Sequence, residues 1–323
     1  MITVLTGGTG GAKFVDGLRQ VLPAEELTII VNTGDDMRWW GLHVSPDIDS
    51  IVYTLAGKIS QERGWGVGGD TFFALKTMAQ MGKPAWFSVG DRDLAMHILR
   101  TKLLSDGNSL SEATAEITQR LGIKARVLPM TDSPVETRVL TASGELSFEE
   151  YFVQRRFQDE VKAIRFVGAS AAVPAPGVLA AIHSSEQILF APSNPVTSIG
   201  PILAVPGIRD ALRETDALVA AVSPIVGNSA VTGPAGALLA SQGFAVSIAG
   251  VADFYGDFLD LLIVDSQDAD AAAKFRERGE SGAARVHITS TIMRNNNDRV
   301  ALGRSAIEAC RQFTSTPIAA QPA

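Results

Sequence analysis

The chain has 323 residues, 46% of them hydrophobic and 20% charged, with a net charge of −7. That apolar content supports a large core in one or two domains, and the acidic balance without a long basic run excludes a nucleic-acid backbone as partner. A single cysteine, Cys310, excludes a disulfide framework and Cys-based metal sites. There is no basic start followed by an apolar leader, and no apolar span of about 18 residues, so the sequence predicts a soluble, cytoplasmic protein with no membrane partner.

The first predicted element is a buried strand, Ile2–Thr6. Gly7, Gly8, Thr9, Gly10 and Gly11 follow, with Lys13 near the start of a helix predicted over Ala12–Val21. Glycines leave backbone N–H groups unshielded, and a helix starting beside them adds a partial positive end. The stretch is therefore a candidate phosphate cradle, with Lys13 as a mobile cation. It is not a P-loop, because Phe14 stands where a Ser or Thr would hold Mg²⁺. Nor is it a full dinucleotide fingerprint. Lys13 takes the place of the third glycine, and Asn32 rather than an acid follows the second predicted strand, Leu27–Val31. A nicotinamide dinucleotide is disfavoured; a nucleoside diphosphate is not.

After that strand the loop carries Asp35, Asp36, Asp47 and Asp49. Ser45 is a plausible N-cap and Pro46 a plausible first residue for a helix predicted over Asp47–Ala56. A favourable helix dipole alone accounts for Asp47 and Asp49, but not for Asp35 and Asp36 in a glycine loop. Carboxylates beside a diphosphate cradle are the hard oxygen ligands that Mg²⁺ takes. Trp39, Trp40 and Trp65 offer a surface for a flat ring, or ordinary packing.

Helices are predicted over Thr71–Met81, Asp91–Leu104 and Leu110–Leu121, with a strand at Ala85–Val89 between the first two. That strand leads through Ser88 to Gly90-Asp91-Arg92-Asp93, where Asp91 could cap the next helix and Arg92 could pair with Asp93 or reach a phosphate. His97 reads as a packed histidine. Val135–Leu140 and Gly144–Phe148 alternate about a turn and predict a hairpin, within an insertion expected over 134–159. Further strands are predicted at Ile164–Val167, Gln187–Phe190, Ala217–Val222, Ala245–Ile248 and Leu261–Val264, and helices at Gly207–Glu214, Gly236–Gln242 and Val300–Gln312. The tail from Thr314 to Ala323 reads as frayed. Two polar, Gly/Pro-rich loops follow core strands: one holds Ser193, Asn194 and Ser198, the other Ser223, Gly227 and Asn228. Turn chemistry explains either alone; together they suit a nucleotide. The alternation predicts an α/β protein: a Rossmann-like, mostly parallel sheet with helices on both faces, built from 1–133 and 160–323. No Ser-His-Asp arrangement, reactive cysteine or paired glutamates is visible, which suits phosphoryl-group transfer, where positioning and charge neutralisation dominate.

On Gly7-Gly8-Thr9-Gly10, Asn32-Thr33-Gly34-Asp35-Asp36, Ser45-Pro46-Asp47-Ile48-Asp49, Gly90-Asp91-Arg92-Asp93, Leu128-Pro129-Met130-Thr131-Asp132, Pro192–Pro201 and Ser223–Gly227, the chain resembles the 2-phospho-L-lactate transferases of coenzyme F420 biosynthesis, over nearly its whole length. The resemblance implies a Mg²⁺-dependent enzyme with two substrates. One is the deazaflavin Fo (7,8-didemethyl-8-hydroxy-5-deazariboflavin). The other is a guanosine diphosphate ester of lactate, enolpyruvate or glycerate, and GMP is released. It implies that Asp35 with Asp47 or Asp49 holds the metal and that Asp49 with Ser88 lies against Fo. The glycine loop would take the diphosphate, the Ser193-Asn194 and Ser223–Asn228 loops would hold the nucleotide, and the assembly would be a homodimer. Met37–Trp40 and Val67–Gly69 match no one branch of the family, so the donor acid stays open. The competing reading is a non-catalytic, nucleotide-sugar-binding regulator of the gluconeogenesis-factor type. It expects a Gly/Ser-rich continuation after the Asp pair, where Met37-Arg38-Trp39-Trp40 stands instead.

Overall fold

Seven short runs pair side by side: β1 Ile2–Thr6, β2 Leu27–Val31, β3 Arg126–Pro129, β4 Gln187–Phe190, β5 Leu218–Val222, β6 Leu261–Asp265 and β7 Arg285–Thr289. In the computed structural model, which describes residues 1–277 and 284–314, they form one parallel sheet in the order β3-β2-β1-β4-β5-β6-β7. Successive side chains of a strand point to opposite faces. Leu5, Ile30, Ile188, Phe190 and Leu262 accordingly enter one core, and Val4, Ile29, Val31, Leu189 and Ile263 the other. Helices Gly8–Leu18 and Asn296–Thr314 cover the second face through Phe14, Leu18, Leu302 and Ala306. Val178, Ile208, Leu238 and Val251, from four other helices, cover the first. The expected doubly covered α/β sheet is what the chain forms.

The chain enters the sheet at β1, runs outward to β3, then returns to β4 on the other side of β1 and runs outward again. Two loops therefore diverge above the carboxyl ends of β1 and β4 and leave a crevice, where open α/β sheets bind ligands.

Several expectations are corrected. The first helix begins at Gly8, not Ala12, so the turn is one residue, Gly7, and the glycines are the first helical turn. Ala85–Val89 is not a strand: Trp86 and Phe87 pack edge-on against Trp39 in a separate aromatic cluster. The edge position goes to β3, a four-residue run ending in Pro129, short enough to escape a periodicity search. Ala245–Ile248 is not a strand either, because Ser247 accepts from the Gly250 amide and caps helix Ile248–Tyr255. The last strand, β7, lies where the sequence predicts none. The expected hairpin forms between Glu136–Thr141 and Gly144–Ser147, and Val161–Val167 joins it as a third antiparallel strand outside the main sheet. Of the expected tail, only Thr314 lies within the described residues. Among those residues no helix is long and apolar enough to cross a membrane.

Candidate functional site

The crevice above β1 and β4 opens into a cleft of about 750 Å³. Gly7, in extended conformation, caps the helix Gly8–Leu18, and Gly8 follows at φ +68°. The Ser193 hydroxyl stitches the two loops together: it donates to the Gly7 carbonyl at 2.7 Å and lies 3.3 Å from the Gly7 amide. A helix leaves its first N–H groups without internal partners. Here the first is already used, since Gly8 donates to Asp47 Oδ1 at 2.7 Å. Thr9, Gly10 and Lys13 line the cleft beyond it, and Gly11 is buried behind them.

Asn32, at the end of β2, gathers the acids. Its side-chain amide donates to Asp35 Oδ2 at 2.9 Å and to Asp47 Oδ2 at 3.0 Å. Asp35 Oδ1 is buried and makes no hydrogen bond of normal geometry, with the Thr137 hydroxyl close enough to oppose the burial-driven rise of its carboxyl pKa. Glu149, which follows the second strand of the three-stranded antiparallel sheet, faces the same charges, and all three acids line the cleft. Burial pushes the Asp47 carboxyl up to about 6, with the Asn32 and Gly8 donors opposing it and the Asp36 and Asp49 charges adding to it. Burial, then the Asp47 and Asp36 charges, lift Glu149 to about 8. Asp35 is raised well above its ordinary value by burial and then by Asp47 and Glu149. Asp36 turns away from the cleft, accepting from the Ser45 hydroxyl at 2.7 Å with His43 Nε2 at 3.0 Å. Ser45 thus sits at the N-cap of helix Pro46–Leu55, but its side chain serves Asp36 rather than the helix.

Asp49 is bound differently. Arg100, wholly buried on helix Asp91–Ser105, sets Nη1 3.2 Å from Asp49 Oδ2 and bonds Oδ1 through Nη2. His97 Nδ1 lies 3.5 Å from Asp49 Oδ2, and its Nε2 lies 3.4 Å from Asp93 Oδ1. Tyr53 donates to that same Asp93 oxygen at 2.6 Å. Asp49, Asp93 and His97 each offer a ligand atom within 4.8 Å of the others. The Arg100 charge already compensates Asp49, which leaves that cluster a weaker cation site than the unpaired acids around Asn32.

The remaining expected residues divide. Ser88, Ser193, Asn194, Ser198 and Ser223 line the cleft. Within their loops, Asn194 Oδ1 accepts from the Val196 amide at 3.0 Å, and the Ser223 hydroxyl donates to the Ile225 carbonyl at 2.9 Å. Gly227 and Asn228, both with positive φ, form the exposed turn of a small hairpin and do not line the cleft. Arg92 is exposed, 3.4 Å from the Gly68 carbonyl, and also lies outside it. Trp65 lines the cleft under the Arg63 guanidinium, 5.2 Å from the ring centre. Trp39 is buried among aromatic neighbours, and the Trp40 indole donates to the Pro84 carbonyl. Asp91 does not cap its own helix. It accepts from the amides of Phe73 and Ala74, while Asp70 accepts from those of Arg92 and Asp93.

Sequence reasoning missed Glu149, Asn32 as an organiser, and Arg100. Glu149 and Arg100 sit in amphipathic stretches where a charged residue is ordinary. The spacing Asp93, His97, Arg100 was the one available sign, since it sets three polar groups on one helix face.

A family model described as 2-phospho-L-lactate transferase CofD matches residues 2–305. A 2-phospho-L-lactate transferase of Methanosarcina mazei is 42% identical, covering 89% of this chain and 95% of its own. A phosphoenolpyruvate transferase of Streptomyces griseus is 44% identical, covering 96% and 98%. Another from Streptomyces coelicolor is 47% identical, covering 86% and 89%. Among solved structures, a UPF0052 family protein of Bacillus halodurans superposes with a TM-score of 0.59 at 15% identity, covering 95% of this chain and 98% of that one. At that identity the likeness is one of fold.

Proposed function

Because this chain belongs to the 2-phospho-L-lactate transferase family, we propose that it transfers a phospho-acid group to Fo in coenzyme F420 biosynthesis. The donor is a guanosine diphosphate ester of lactate, enolpyruvate or glycerate, and GMP leaves. The observation that carries this reading is the meeting, in one cleft at the reversal of the sheet, of the glycine-started helix, the Ser193 loop and the Asn32-bound acids Asp35 and Asp47.

The residues fit a divalent cation. Asp35 and Asp47 both line the cleft with their charge uncompensated: Asp35 Oδ1 makes no hydrogen bond of normal geometry, and neither acid forms an ion pair among the described residues. Carboxylate oxygens of this kind suit Mg²⁺, so Asp35 and Asp47 would hold it, with Glu149 beside them. When bound, Mg²⁺ neutralises charge on the diphosphate. The Thr9 and Gly10 amides and the Lys13 side chain bind the diphosphate, and the Ser193-Asn194 and Ser223 loops hold the nucleoside. Asp49 and Ser88 face the terminal ribityl hydroxyl of Fo. Asp49 accepts a hydrogen bond from that hydroxyl and aims its oxygen at the phosphorus bearing the acid. A P–O bond to Fo forms, the anhydride bond to GMP breaks, and the hydroxyl proton is released as the phosphodiester completes. Phosphoryl transfer depends on such positioning more than on a strong base. We take the assembly to be a homodimer, which light scattering checks.

The test supplies Fo, Mg²⁺ and the three guanylylated acids in competition and identifies the product by mass spectrometry. One phosphodiester, with GMP release that needs Fo, donor and Mg²⁺ together, is expected. No GMP with any donor refutes the reading.

A further inference from the structure

The cleft holds two kinds of acid. Asp35, Asp47 and Glu149 form no ion pair among the described residues, whereas Asp49 is paired to Arg100. Arg100 is 0% exposed and does not line the cleft; it reaches Asp49 from behind. Two nitrogens meet two oxygens, which fixes the plane of the carboxylate as well as its charge. Resting on the transferase reading, we propose that Arg100 is a positioning residue, holding Asp49 in the one orientation that receives the acceptor hydroxyl.

The local architecture serves that purpose. Asp93, His97 and Arg100 lie on one face of helix Asp91–Ser105, opposite Asp49 and Tyr53 on helix Pro46–Leu55. Of these five, Arg100 alone stays behind the cleft wall. Stability alone does not call for the pair, since apolar replacements of a buried ion pair are often neutral or stabilising. A lysine would supply the charge but not the fork.

The experiment compares Arg100→Met, Arg100→Lys, Asp49→Asn and the double variant Asp49→Asn/Arg100→Met, with Fo varied and folding checked by circular dichroism. Arg100→Met should lower kcat by about 100-fold, the scale of a small misplacement at a reacting centre, and leave KM for Fo within a few-fold. Arg100→Lys should recover only part of the loss. The double variant should be no slower than Asp49→Asn, because Arg100 acts through Asp49. If Arg100→Met, which leaves Asp49 buried without a counter-charge, or Asp49→Asn, which does the same to Arg100, does not fold, the double variant and Arg100→Lys, which avoid that defect, carry the comparison against wild type. Losses that multiply in the double variant, a rise in KM at unchanged kcat, or full activity of Arg100→Lys would overturn the proposal. Wild type inactive with every donor would instead overturn the transferase reading, and this role with it.

Discussion

Gly7 has no room for a side chain. A Cβ there would lie 2.5 Å from Asp47 Oδ2 and 2.9 Å from the Ser198 Cβ. Gly7→Ala should therefore displace Asp47 from the Gly8 amide and abolish GDP binding by calorimetry, at an overpacking cost of about 1–3 kcal/mol. Glu149 makes a second prediction, on pH. Its folded-state value of about 8 stands above the ordinary 4.5, and that of Asp47, about 6, above 3.8. Between those limits the folded chain binds more protons than the unfolded one. Without divalent cation, stability is therefore complete below the ordinary values and falls as pH rises through about 6 and then about 8. Each pH unit of displacement corresponds to about 1.4 kcal/mol. Glu149→Gln should flatten the fall between pH 6 and 8 in urea unfolding; an unchanged slope would mean that Glu149 is ionised in the fold.

At the scale of elements, two helices cap each other. Asp70 receives the amides of Arg92 and Asp93 at 2.9 and 3.1 Å, and Asp91 receives those of Phe73 and Ala74 at 3.1 and 3.0 Å. This clasp anchors the segment that brings Trp65 and Ser88 to the cleft. Asp70→Ala should cost about 1 kcal/mol, the usual value of a cap, and speed hydrogen exchange at the Arg92 and Asp93 amides. Exchange at wild-type rates would show the clasp to be idle. A chain reading finds Asp91 at a helix start and assigns it to that helix. Only docking of the helix Phe73–Gln80 alongside reveals the exchange of partners. The antiparallel sheet behaves the same way: its hairpin alternation was legible, but the delivery of Glu149 into the cleft was not, because that depends on how the three-stranded sheet seats on the core.

Across the whole molecule, the sheet is the rigid part. Phe190, 0% exposed on β4, packs 4.9 Å from the ring of Tyr255 and 5.8 Å from that of Phe258. Phe190→Ala should cost about 3–5 kcal/mol in urea unfolding. Mg²⁺ with GDP should recover part of that loss, since ligands that bind only the folded state stabilise it by mass action. The amino-acid sequence by itself determined the α/β class, the glycine run between β1 and the helix that follows it, and the acid-rich loop above β2, because each is a pattern of near neighbours with its own local physical cause. Tertiary structure alone decided which acids carry a counter-charge. Arg100 meets Asp49 across 51 residues of chain, and the free energy of burying a charge depends on what the folded chain places against it, which no local spacing records.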